Sequence, residues 1–191
     1  MSNFPSIGYL VFKVSLKGCG NFSSIQEAVD AIPVSNQTKK LILVDSGIYR
    51  ERVLVHENKT NVVMQGMGYK NTLIEWNNTA ASSNGTFSSF SVSILGENFR
   101  AYNISFKNTA PAPAPGAVGQ QAVALAVVGD KAAFYGCGFY GNQDTLLDQQ
   151  GRHFYKDCFI EGSIDFIFGD ARSLYQVHYY VFLNLEHTKA L

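Results

Sequence analysis

Net charge, cysteine and long apolar runs are all scarce in this chain of 191 residues. Lys plus Arg and Asp plus Glu number 15 each, so the formal net charge is zero, and no broad field exists to draw nucleic acid or anionic lipid. Neither is expected as a partner, and a polymeric acid would have to be held by local groups. No apolar stretch approaches the roughly 18 residues of a membrane-spanning helix. Three cysteines, Cys19, Cys137 and Cys158, are too few for a disulfide scaffold and lack metal-ligand spacing. No Gly-x-Ser-x-Gly elbow occurs, and His56, His153, His178 and His187 suggest neither a metal site nor a triad.

A 46% hydrophobic content over this length is enough for one core, most simply one domain. Asn-x-Ser/Thr sequons begin at Asn21, Asn36, Asn58, Asn77, Asn84 and Asn103, roughly three times the chance expectation, which favours the secretory route. Against this, Met1 to Phe12 shows no basic start, apolar core and cleavage site of a signal peptide.

Ser24 followed by Glu27 forms a capping-box pattern, and Ile25, Ala28, Val29 and Ile32 supply one apolar face, so a short helix is expected over 23–32, ended by Pro33. Beyond it the helical period gives way to short β-branched or aromatic runs: Leu41–Val44, Val53–Val55, Val62–Met64, Phe90–Leu95, Tyr102–Phe106, Ala122–Val128, Ala132–Tyr135, Phe154–Tyr155 and Phe166–Phe168. Val62, Ile104, Cys137 and Cys158 each stand four residues before Gly66, Asn108, Gly141 and Gly162, turn formers suited to a corner. The offsets are uneven, as in a solenoid whose coils carry insertions, and Thr109 to Gly119 with its three prolines reads as one such loop. Cys137 and Cys158 then stack one coil apart, as a buried thiol ladder or as a disulfide.

Two acids stand out. Asp144 lies in the polar turn Gly141-Asn142-Gln143-Asp144, where a turn-forming role is the ordinary one. Asp165 directly precedes Phe166-Ile167-Phe168, where desolvation is expected to penalise its charge. They stand 21 residues apart, about one turn of a parallel β-helix, which makes them neighbours on stacked strands. Two carboxyls in unlike surroundings can hold different protonation states at one pH. Gln143 adjoins the first, and Gln121 opens the run Gln121-Ala122-Val123-Ala124-Leu125; amide N–H groups at such places can stabilise an oxyanion.

Four ordered stretches, Gly47-Ile48-Tyr49-Arg50-Glu51, Gln121 to Leu125, Gly141 to Leu146 and Asp165 to Gly169, resemble the successive signatures of plant pectin methylesterases. Gly20-Asn21-Phe22 and Gln26-Glu27-Ala28-Val29 resemble that family's opening segment. The resemblance implies an all-β fold, a right-handed parallel β-helix of the pectin-lyase-like type with a short N-terminal helix, and hydrolysis of the methyl esters of pectin. By motif, Asp165 is the nucleophile, Asp144 the general acid and then base, and Gln121 and Gln143 the oxyanion donors. Ser91, where the family usually has threonine, Gln121 and Phe168 are the expected substrate contacts. No cofactor or metal is implied. Pectin is the expected ligand of a monomer secreted to the cell wall, and a proteinaceous pectinesterase inhibitor is a further candidate partner.

The resemblance covers 14–176, leaving 1–13 as an N-terminal segment and 177–191 as a divergent tail. The family's Leu-Gly-Arg-Pro-Trp signature does not occur, and Leu147 stands in place of a common tyrosine. The expectation is a C-terminally shortened solenoid, incomplete at that end, with its acid pair on a weakened frame. A β-helix glycoside hydrolase and an inactive pectin-binding fragment are the alternatives.

Overall fold

The computed structural model describes residues 8–34, 38–176 and 179–182. Three parallel sheets wind around one core as a right-handed parallel β-helix. The seven-stranded sheet runs Tyr9–Val14, Lys39–Val44, Val62–Gln65, Arg100–Tyr102, Ala132–Tyr135, Arg152–Lys156 and Arg172–Gln176. The six-stranded sheet runs Gly47–Arg50, Thr72–Trp76, Ser105–Asn108, Gly138–Tyr140, Phe159–Gly162 and Tyr179–Phe182. The five-stranded sheet runs Val53–Val55, Val92–Ile94, Leu125–Val127, Leu146–Asp148 and Ile167–Phe168. Each coil visits the three sheets in turn, so strands distant in sequence pair in register; Leu125, Leu146 and Ile167 form one such column, 21 residues per step.

Left-handed backbone marks the corners. Asn61, Asn98 and Lys131 at one, and Asn103, Gly136 and Asp157 at the next, all have φ between 53° and 63°. Asn and Asp tolerate that region at small cost, because their short polar side chains bond locally. At Gly136 the lack of a side chain also matters, because a Cβ there would stand 2.8 Å from Asn103 Oδ1. The column at the remaining corner, between the six- and five-stranded sheets, contains Asp144 (φ 62°) and Asp165 (φ 47°).

Inward residues alternate along each strand and close the core: Val53, Val55, Val92, Ile94, Leu125, Val127 and Leu146 from one wall meet Phe106, Phe134, Phe139 and Tyr155 from the others. The rings keep the ladder spacing, with Tyr155 stacked 5.0 Å from Phe134 and 4.5 Å from Tyr175. Cys137 and Cys158 sit within this core as free thiols.

The expected helix forms over Ile25–Asp30 and covers the core with Ile25, Ala28 and Val29. Its start differs from a capping box. Ser24 Oγ accepts from the Glu27 N–H at 3.3 Å, but the carboxylate at the helix end is Glu51, which accepts from the N–H groups of Ile25 and Gln26 at 2.8 and 2.9 Å. Three sequence expectations need correction. Tyr102–Phe106 is not one strand, because Asn103 turns the chain from one sheet into the next. Val62 to Gly66 does not join the Ile104–Cys137–Cys158 column: it lies in the seven-stranded sheet, and Gly66 bonds to Tyr102 beside the Asn103 corner. The solenoid also extends past both expected limits of 14–176, since Tyr9–Val14 pairs along its length with Lys39–Val44 and Tyr179–Phe182 pairs with Phe159–Gly162.

Candidate active site

The corner between the six- and five-stranded sheets stacks Gln121 to Ala124, Asn142 to Thr145 and Ser163 to Phe166 on successive coils. The Ala122 N–H donates to the Gln143 carbonyl at 3.1 Å and the Asp144 N–H to the Ile164 carbonyl at 3.0 Å. Continuing the register of Leu125, Leu146 and Ile167 backwards puts Phe90, Val123, Asp144 and Asp165 in one column. The two acids are therefore immediate neighbours, about 4.8 Å apart along the solenoid at their backbones.

Their environments are the reverse of the sequence expectation. Asp165 is exposed, because Phe166 and Ile167 turn inward against the core and carry the desolvation themselves. Asp144 is the buried one, 6% exposed, with Oδ1 lacking a hydrogen-bond partner. A coil covers its corner on each side, whereas the Asp165 corner is the last of its kind among the described residues. Burial first, and the charge of Asp165 second, push the Asp144 carboxyl up to about 6, against a lowering hydrogen bond from the Gln143 side chain.

Gln121 and Gln143 are half-buried at the same corner, one coil apart. Gln121 does not open a strand, which starts only at Leu125. Its carbonyl instead accepts from Ala80 at 2.8 Å and so ties the corner to the Ala80–Ser83 helix. That helix belongs to one insertion, and Thr109 to Gly119 to a second; the Ala81 N–H donates to the Gly119 carbonyl at 2.9 Å and joins them beside the acids.

Ser91 is brought to the corner but not to its surface. Its side chain is fully buried and its hydroxyl donates to the Lys107 carbonyl at 2.8 Å, which makes it an internal tie between coils. Thr145 makes the matching bond to the Glu161 carbonyl at 3.1 Å. Phe168 faces outward. It is in register with Leu147 and packs with Leu54, Phe90, Val123, Ala126 and Leu147 in an apolar cluster on the outer face of the five-stranded sheet, separate from the core. This strip lies on the sheet whose preceding corner carries the acids. A surface depression of about 750 Å³ is lined by Glu57, Gly129 and Asp130 at another corner and contains neither acid.

Two features were missed in the sequence. Asp148 points into the core, where it accepts from the hydroxyls of Tyr155 (2.9 Å) and Tyr175 (2.5 Å) and meets His153 Nδ1 at 2.5 Å. Burial raises its carboxyl, but hydrogen bonding to His153, Ser173 and Tyr175 outweighs that and holds it below the usual range. Two-residue alternation from Leu146 would have shown its inward direction. Arg52 stands at the outer apolar strip with its guanidinium over Phe90.

A right-handed parallel β-helix with paired aspartates at one corner, beside an outward apolar strip, is the class of protein that the fold and site define. Residues 12–186 match the model of the family described as Pectinesterase, and the chain belongs to that family. The match continues past Gln176 into the stretch expected to be divergent. Among curated relatives, "Putative pectinesterase 14" of Arabidopsis thaliana is 73% identical over 92% of this chain and 53% of its own length. "Probable pectinesterase 8" of the same plant is 53% identical over 85% of this chain and 42% of its own. Among solved structures, the pectin methylesterase from carrot superimposes with a TM-score of 0.80 at 37% identity, covering 89% of this chain and 51% of that one. A pectin methylesterase in complex with a hexasaccharide gives 0.81 at 28% identity, covering 95% and 58%. The chain thus spans about half the length of the relatives it matches.

Proposed function

We propose that this chain carries the acid pair of a pectinesterase that hydrolyses the methyl esters of homogalacturonan, in the cell wall of its source. The observation that carries the reading is the pairing of exposed Asp165 with buried Asp144, whose carboxyl is raised to about 6. Asp165 attacks the ester carbonyl carbon as a carboxylate. The C–O bond to the methoxy group then breaks, and methanol leaves with the Asp144 proton, giving an acyl intermediate on Asp165. Acylation removes the Asp165 charge and with it part of what raised Asp144, which then accepts a proton from the incoming water. Collapse breaks the bond to Asp165 and releases the galacturonic acid, with Asp144 protonated again.

Gln121 and Gln143 are assigned the tetrahedral oxyanion, a role supported by their half-buried amides one coil apart at the acid corner. Phe168 and the outer apolar strip offer stacking surface to the sugar chain. In this reading Asp165→Asn abolishes methanol release from methylated pectin while the protein stays folded. Undiminished release would remove Asp165 from the chemistry, and new reducing ends without methanol would favour glycosidic cleavage.

A further inference from the structure

Arg52 is a cation on the outer apolar strip that the proposed chemistry does not use. It stands immediately before Val53–Val55, at the opposite end of the five-stranded sheet from Asp165. Its guanidinium carbon lies 4.3 Å from the centroid of the Phe90 ring, which it covers, and Phe90 is part of the outer apolar strip that reaches Phe168. Nε donates to the Phe90 carbonyl at 3.3 Å and Nη2 to the Ser88 carbonyl at 3.0 Å. A ring face and two carbonyls thus hold the group in one orientation. Of its five N–H donors the remaining three, both on Nη1 among them, have no partner among the described residues. The neighbouring carboxylate, Glu51, is committed to Ser24, Ile25 and Gln26. Asp144 and Asp165 are three and four strands away, about 14 and 19 Å at about 4.8 Å per strand.

We propose that Arg52 is a carboxylate-binding subsite at the end of the outer apolar strip, which takes a free uronate carboxylate of the polysaccharide several sugars away from the ester held at the acids. A linear 1,4-linked uronate chain advances by about one strand spacing per sugar, so a polymer laid along the strip stays in step with the ladder. A free carboxylate accepts two parallel N–H bonds from a guanidinium fork, and a neutral methyl ester does not. Arg52 therefore distinguishes de-esterified from esterified sugars at its own position. The ligand class rests on the pectinesterase reading; the subsite rests on the geometry of Arg52.

Calorimetric titration with an oligogalacturonate long enough to reach from Asp165 to Arg52 tests it, run with the fully de-esterified form and, in an Asp165→Asn background that does not consume the ester, with the fully methyl-esterified form. Arg52→Met keeps an apolar stem over Phe90 and loses every N–H; Arg52→Lys keeps the charge and loses the fork. Affinity for the de-esterified oligomer should fall about tenfold in Arg52→Met and by less in Arg52→Lys, while affinity for the esterified oligomer stays as it is with Arg52 in place. Equal affinity of wild type and Arg52→Met for the de-esterified form, an equal loss for both forms, or no binding by the wild type overturns the subsite. If Arg52→Met does not fold, the same comparison is read from Arg52→Lys. Methanol release by the wild type is measured alongside: Arg52-dependent binding without methanol would overturn the hydrolase reading alone, and methanol release with Arg52-independent binding the subsite alone.

Discussion

Asp144 and Asp165 carry the same side chain in the same left-handed backbone state and differ in what covers them. Neighbouring coils enclose the first, so its charged form is disfavoured twice, by lost hydration and by the second acid. In carbon-detected NMR the Asp144 carboxyl should titrate near 6 and move toward ordinary carboxylate values in Asp165→Asn, which removes the like charge. An unmoved midpoint would mean that the two groups do not sense each other. The sign of the stability effect follows. A carboxyl raised in the folded state contributes its stability below its unfolded value, near 4, and loses it as pH rises through about 6. Asp148 behaves oppositely: its carboxyl is lowered by His153, Ser173 and Tyr175, so its contribution is present at neutral pH and fades on acidification. The spacing of 21 residues was enough to predict that the acids are neighbours, but which one is buried depends on the coils on either side. Ser91 illustrates the same limit, since a hydroxyl one residue before a strand can face either way until Lys107 offers it a carbonyl.

At the scale of elements, the corner carrying Asp165 depends on Gly162. A Cβ there would meet Phe166 Cβ at 2.4 Å and Thr145 Oγ1 at 2.6 Å, so the Phe159–Gly162 strand and the acid corner approach more closely than any side chain allows. Gly162→Ala should cost about 1–3 kcal/mol by denaturant titration and reduce methanol release more than its stability loss explains, because the corner must move. Wild-type stability together with wild-type release would show that the contact is slack. The helix Ile25–Asp30 was legible because its apolar period and Ser24 are local signals; the Glu51 carboxylate at its start was not, since it comes from the bend between the strands Gly47–Arg50 and Val53–Val55, remote in sequence. Strands such as Leu146–Asp148 and Gly138–Tyr140 were missed because three residues hold barely one alternation.

For the whole molecule, stability is a stack of nearest-neighbour contacts, and the aromatic column through the core links its last coils. Phe134 touches Phe99, Phe106, Phe139 and Tyr155. Phe134→Ala should cost about 3–5 kcal/mol, read as a lower denaturant midpoint with unchanged slope. A loss under about 1 kcal/mol would show that the column can collapse around the gap. Local composition determined that this chain winds: short β-branched runs, corner residues that accept left-handed backbone and a coil-length spacing between two acids are properties of neighbouring residues. Only the tertiary structure decided which acid is desolvated, that Ser91 turns inward and that Arg52 lies over Phe90. Burial and hydrogen bonding at a corner are set by coils that are remote in sequence, and no local pattern records them.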